Sequence, residues 1–186
     1  METEAKFCFP GRIVLTGPKH AGKSRTAAAL ACLYHADCFD LDELISAQTG
    51  KSPRALYREG PGVFREAETL ALEALLKSGK RGVIAAGGGI IDNGPAAALL
   101  EKAEGLVIIY LDVSADTAWQ RIAAQAARDG GLPPFLNTPR PRETHRDLHE
   151  RRAAAYRNLA RLTIWAEGKS PEEIAREISR ALADSG

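Results

Sequence analysis

The residues with the clearest chemical content are Gly17-Pro18-Lys19-His20-Ala21-Gly22-Lys23-Ser24, which satisfy the pattern G-x-x-x-x-G-K-S/T at every specified position. Glycines let the main chain fold around a phosphate with several N–H groups pointing inward. A helix opening at the end of the loop adds the partial positive charge of its N-terminus. Lys23 would reach the β- and γ-phosphates of a nucleotide, and the Ser24 hydroxyl would suit Mg²⁺. Gly17, His20, Ala21, Gly22, Lys23, Ser24 and Arg25 are therefore the candidate nucleotide ligands. No Asn-Lys-x-Asp sequence for reading guanine occurs, which favours ATP over GTP.

Asp40 and Asp42 sit near the end of an apolar run, on the edge where the phosphate loop opens. If the chain is still extended there, residues two apart point the same way and both carboxylates face one cleft. One would hold Mg²⁺ through water while the other orients a substrate hydroxyl; a helix N-cap at either position is the structural alternative. Arg65, within Phe64-Arg65-Glu66-Ala67-Glu68, would suit a bidentate clamp on a carboxylate, or else stand solvated in a first helical turn. Gly87-Gly88-Gly89 follows a buried run. Three consecutive glycines are costly in backbone entropy and imply that a ligand closely approaches main-chain N–H groups.

The elements that must position these groups follow from the apolar pattern. Arg12-Ile13-Val14-Leu15-Thr16 suits a buried parallel strand, and the Ala- and Leu-rich stretch from Ser24 to His35 predicts a helix. Cys38-Phe39-Asp40-Leu41, Gly82-Val83-Ile84-Ala85-Ala86, Leu106-Val107-Ile108-Ile109-Tyr110-Leu111 and Leu162 to Trp165 read as further strands. Helical patterns occupy Leu41 to Lys80, Pro95 to Lys102, Ser114 to Ala127, Asp147 to Leu162 and the residues after Ser170-Pro171. Arg128 to His145, with its glycines, prolines and arginines, is the candidate lid loop. Strands alternating with helices predict the α/β class: a five-stranded parallel sheet flanked by helices in three layers, with ligands along one edge.

A chain of 186 residues, 45% hydrophobic and 26% charged, fits one domain able to bury a core. Its net charge of +1 predicts no broad attraction to nucleic acid or membrane, so an anion has to be bound by a local site. Cys8, Cys32 and Cys38 lack zinc-ligand spacing and read as reduced thiols. Met1 to Arg12 holds no apolar run of the signal-peptide kind, and no stretch approaches the ~20 apolar residues of a spanning helix. A cytoplasmic location is expected. No apolar stripe demands a dimer, so a monomer is expected.

Along the chain the phosphate loop is followed by Asp40-Leu41-Asp42, Phe64-Arg65-Glu66-Ala67-Glu68, Gly87-Gly88-Gly89 and Arg152-Ala153-Ala154-Ala155-Tyr156. In that combination and order, from about Ile13 to its end, the chain resembles the shikimate kinase family. The resemblance implies a P-loop kinase that moves the γ-phosphoryl group of ATP to the 3-hydroxyl of shikimate, a step of aromatic amino-acid biosynthesis. It implies one kinase domain over 1–186, with a substrate-binding segment at about 41–80 and a lid at about 128–145. Asp42, Arg65, Gly88 and Arg152 would hold shikimate, the two arginines gripping its carboxylate. Ser24 and Asp40 would serve Mg²⁺, and Lys23, Asp42 and the lid arginine Arg140 would be the catalytic groups, Arg140 also meeting the phosphates of ATP. A segment near Ser170-Pro171 would border the adenine.

The chain departs from the family pattern chiefly in the lid. Arg140-Pro141-Arg142-Glu143 stands where Arg-Pro-Leu-Leu is usual, which leaves Arg140 and Arg142 as alternatives, and Gly130-Gly131-Leu132-Pro133-Pro134-Phe135 precedes it. His20 replaces a usual glycine and Pro61 a usual glutamate. A kinase for another small hydroxylated carboxylate and a non-catalytic ATP-binding module are the alternatives to shikimate kinase. The Arg65/Arg152 pair favours an acceptor bearing a carboxylate, and the intact Lys23, Ser24, Asp40 and Asp42 favour catalysis.

Overall fold

The computed structural model describes residues 9–184, so Cys8 and the charged start of the chain lie outside the described residues. Strands and helices alternate as β1 (Arg12–Thr16), α1 (Lys23–Tyr34), β2 (Asp37–Asp40), α2 (Leu41–Thr49), α3 (Pro53–Glu59), α4 (Pro61–Lys77), β3 (Gly82–Ala85), α5 (Gly94–Lys102), β4 (Leu106–Asp112), α6 (Ala115–Asp129), α7 (Pro141–Leu159), β5 (Leu162–Trp165) and α8 (Pro171–Ala183). Single turns of 3₁₀ helix cover Ile90–Asp92 and Pro134–Leu136. Helix starts follow capping chemistry: Ser52, Ser114 and Ser170 each accept an N–H of the first turn, and Ser170 forms a full capping box with Glu173.

The five strands are all parallel in the order β2-β3-β1-β4-β5. In central β1, Ile13 lies opposite Val83 on one side and Val107 on the other. Period-two alternation then divides the core between the two faces. Ile13, Leu15, Val83 and Ile109 pack with Leu30 of α1 and Ile178 of α8. Val14, Ile84, Ile108 and Tyr110 pack with Leu41, Leu72, Leu100 and Tyr156 on the opposite face. Each fully buried side chain of this kind contributes roughly 1.5–3 kcal/mol. From β1 the chain crosses to β2 on one side and later reaches β4 on the other. This change of direction opens a crevice at the C-terminal end of β1, where the phosphate loop lies.

The loop expected over about 128–145 is shorter at both ends. Helix α6 runs to Asp129, where Gly130 (φ 71°) supplies the left-handed residue that ends it. Helix α7 starts at Pro141, whose fixed φ suits a first helical position. The loop between them is 130–140. No described helix is long and apolar enough to cross a membrane.

Candidate active site

The crevice is built from the phosphate loop outward. Gly17 has φ 137°, and a Cβ there would lie 2.5 Å from the Leu111 carbonyl oxygen, so the approach of the loop to β4 requires glycine. His20 takes φ 62° without being glycine, and Arg121 of α6 donates to its carbonyl at 3.0 Å. Lys23 is buried and donates from Nζ to Gly17 O at 3.0 Å and Pro18 O at 2.8 Å, folding across the loop. Burial draws its pKa down to about 8, with Asp42 opposing and Lys19 adding to the effect.

Strand β2 ends at Asp40, which does two things at once. Its Oδ1 accepts the Asp42 N–H at 2.9 Å as the N-cap of α2, and its Oδ2 accepts Ser24 Oγ at 2.5 Å. Of the two geometries open to Asp40 and Asp42, the helix N-cap at Asp40 is the one formed. Strand alternation stops at Asp40, and Asp42 reaches the cleft from the first turn of α2, whose start the cap fixes. Burial pushes the Asp42 carboxyl up, helped by the Asp40 charge and opposed by Lys19 and Lys23.

A cleft of about 560 Å³ opens beside these groups, lined by Lys19, Asp42, Arg65, Gly88 and Arg152. The triple glycine lines it, and at its first two positions a side chain would not fit. A Cβ on Gly87 would lie 2.5 Å from Glu68 Oε1, and one on Gly88 would lie 2.8 Å from Lys19 N. The Gly88 carbonyl accepts from Tyr156 OH at 2.9 Å and Arg152 Nη1 at 3.2 Å, while its N–H has no acceptor among the described residues. Asp92, in the turn after the glycines, accepts Arg152 Nε at 2.8 Å and holds Nη2 at 2.6 Å. It also takes a two-pronged contact from Arg151, and these arginines hold its carboxyl below the ordinary carboxylate value against the desolvation of the site. The Phe135 ring lies 5.7 Å from the Arg152 guanidinium, closing the mouth. Glu68 of α4 is buried and accepts Asn93 Nδ2 at 2.9 Å; burial pushes its pKa up to about 7.

Lys23, Ser24 and Asp40 stand at the loop beside this cleft, joined to it through Asp42. Arg25 is exposed on α1 and does not line the cleft. Arg140 does not line it either. It falls one residue before α7, and Nη1 pairs with Glu143 at 2.9 Å on the outside. The alternative, Arg142, pairs there with Asp116 at 3.0 Å. The cleft is instead faced by the earlier stretch from Gly131 to Phe135. Ser170 caps α8, while Glu167 just before it accepts from Ser114 N and Thr117 Oγ1, tying this corner to α6. Asp92, Glu68 and Arg121 were not singled out as site residues in the sequence. Glu68 carried a signal as the last residue of Phe64-Arg65-Glu66-Ala67-Glu68, whereas Asp92 and Arg121 had none.

Ser24 and Asp40 present a hydroxyl and a carboxylate, hard oxygen donors suited to Mg²⁺. No group of three or more His, Cys, Asp or Glu among the described residues could hold a metal by itself. The donor set therefore fits an ion completed by water and nucleotide phosphate.

A parallel sheet of this order, with a glycine-rich loop closing on Lys23 at the N-terminus of α1 and an acceptor-sized cleft beside it, defines a P-loop phosphotransferase. The chain belongs to the shikimate kinase family: the family described as shikimate kinase matches residues 19–183. Shikimate kinase from Streptococcus gordonii is 38% identical over 170 residues, covering 91% of this chain and 98% of that protein. That from Corynebacterium efficiens is 32% identical over 173 residues, covering 92% and 96%. The solved shikimate kinase from Acinetobacter baumannii in complex with shikimate superposes with a TM-score of 0.83 at 30% identity, covering 94% of each chain. A gluconokinase from Sinorhizobium meliloti, at 20% identity and a TM-score of 0.60, shares the fold. The family's members are ATP-dependent phosphotransferases.

Proposed function

We propose that this chain transfers the γ-phosphoryl group of ATP to the 3-hydroxyl of shikimate, as one kinase domain with its substrate segment at about 41–80. The observation that carries the reading is the cleft itself. Two guanidinium groups, Arg65 and Arg152, and the free Gly88 N–H surround an acceptor-sized space that Asp42 joins to the phosphate loop. The arginines clamp the carboxylate of the acceptor, and Asp42 and the Gly88 N–H orient its hydroxyls.

In the reaction the acceptor oxygen forms a bond to the γ-phosphorus while the bond from that phosphorus to the β,γ-bridging oxygen breaks. Its electron pair leaves with ADP, and Asp42 takes the hydroxyl proton. Lys23 exchanges its loop carbonyls for phosphate oxygens and stabilises their charge. Ser24 and Asp40 would hold Mg²⁺, which would supply charge neutralisation to the nucleotide phosphates. Loop 130–140 covers the cleft and excludes water. On this reading the enzyme works in the cytoplasm as a monomer.

Mass spectrometry of the product tests this reading. Incubation with MgATP and shikimate gives shikimate 3-phosphate in step with ADP, and Arg65→Ala and Arg152→Ala each raise the acceptor KM. Unchanged shikimate beside bound ATP would reject the assignment and point to another hydroxylated carboxylate.

A further inference from the structure

Lys19 occupies an unusual place in the cleft. Its backbone rests on the triple glycine, with Lys19 N 2.8 Å and Cα 3.1 Å from where a Gly88 Cβ would stand. From that position it lines the main opening and a small adjoining cavity bordered by Arg152 and Tyr156. The side chain is half-buried, and its ammonium makes no hydrogen bond or ion pair among the described residues. Of the nearby cations, Lys23 is engaged on Gly17 and Pro18, Arg121 on His20, and Arg152 on Asp92 and Gly88, while Arg65 is assigned to the acceptor carboxylate. An ammonium with no direct hydrogen bond or ion pair is available to a ligand anion, with the Asp42 carboxylate close enough to feel its charge. Its charge is felt at His20, Lys23 and Asp42, which places it between the phosphate loop and the carboxylate that meets the acceptor.

The part of loop 130–140 that lines the cleft holds no cation. The residues of loop 130–140 that face the cleft lie in Gly131-Leu132-Pro133-Pro134-Phe135, which is uncharged. Arg140 and Arg142 lie outside, on Glu143 and Asp116.

We propose that Lys19 is a catalytic residue of this chain, supplying from within the phosphate loop the cation that meets the γ-phosphoryl group as it moves to the acceptor. The assignment rests on the kinase reading and deepens it. The bonds made and broken are those of the transfer above. Lys19 keeps its protons throughout and offsets charge on the oxygens of the transferring group.

The test compares Lys19→Met, which keeps length without charge, with Lys19→Arg, which keeps charge. Lys19→Met is expected to lower kcat about 100-fold while leaving the acceptor KM near wild type, and Lys19→Arg to recover much of the loss. Calorimetry gives a readout apart from turnover. The wild-type protein should bind a non-hydrolysable ATP analogue more tightly than ADP, and Lys19→Met should lose that preference with its melting temperature retained. Wild-type kcat in Lys19→Met, a change confined to the acceptor KM, or an equal loss carried by Arg140→Ala or Arg142→Ala would each overturn the assignment. If the wild-type protein does not phosphorylate shikimate, the kinase reading falls, while the triphosphate preference still decides the role of Lys19.

Discussion

Arg152 and Asp92, 60 residues apart in sequence, are joined through Nε at 2.8 Å and Nη2 at 2.6 Å to a single carboxylate oxygen. The contact ties α7 to the turn after the triple glycine and aims the guanidinium into the cleft. Asp92→Asn removes the charge while keeping the shape. Hydrogen bonds to charged groups contribute about 1.5–3 kcal/mol, so the acceptor KM is expected to rise about 10-fold or more with a smaller change in kcat. Initial rates against acceptor concentration check this; an unchanged KM would show that Arg152 holds its place without Asp92.

Gly88 allows the phosphate loop and the strand-end turn to touch. In Gly88→Ala the new Cβ meets Lys19 N at 2.8 Å and Pro18 C at 3.3 Å, both backbone atoms that cannot swing aside. Thermal or urea unfolding should show a loss of about 1–3 kcal/mol. Turnover should fall on the order of 100-fold because the loop is displaced from its reacting position.

Glu68 makes stability depend on pH in a predictable direction. Burial raises its folded pKa to about 7 from an ordinary 4.5, so between those values the native protein keeps a proton that the unfolded chain has released. Stability from this group therefore falls as pH rises from about 4.5 to about 7. His145 acts oppositely: burial draws its pKa down to about 4, so its contribution increases between about 4 and 6.5. The difference between wild type and Glu68→Gln isolates the carboxyl. Urea midpoints should show the variant gaining on wild type across that window, and parallel curves would contradict the account.

Arg54 of α3 donates from Nη2 to the carbonyls of Gly131 and Leu132, each at 3.2 Å, linking α3 to loop 130–140. Arg54→Ala frees this end of the loop. ATP hydrolysis without acceptor is expected to rise relative to acceptor phosphorylation, because water enters more readily, and limited proteolysis within 130–140 should quicken. Neither change would be seen if the loop were held by other contacts alone.

The fold was legible where local rules act alone. Apolar runs located all five strands, and Ser114 and Ser170 marked their helix starts. The phosphate loop was legible because its spacing and its place between β1 and α1 are both local. Asp42 lines the cleft, but the sequence left its route there open between a strand residue and a helix start, because an aspartate at a strand end serves equally as either and Asp40 is both at once. The loop bounds were read too wide because Arg140-Pro141 reads as a loop phrase, whereas Pro141 starts α7. Asp92 and Lys19 gain their meaning from partners or a cavity distant in sequence, which no local pattern records.

The most direct measurement of the central claim is the initial rate of ADP release from MgATP with shikimate, with gluconate and with no acceptor. The account predicts rapid release with shikimate alone, lost in Lys23→Met and displaced to higher shikimate concentration in Arg65→Ala. Release at the same rate with all three, or ATP binding without shikimate-dependent turnover, would contradict it.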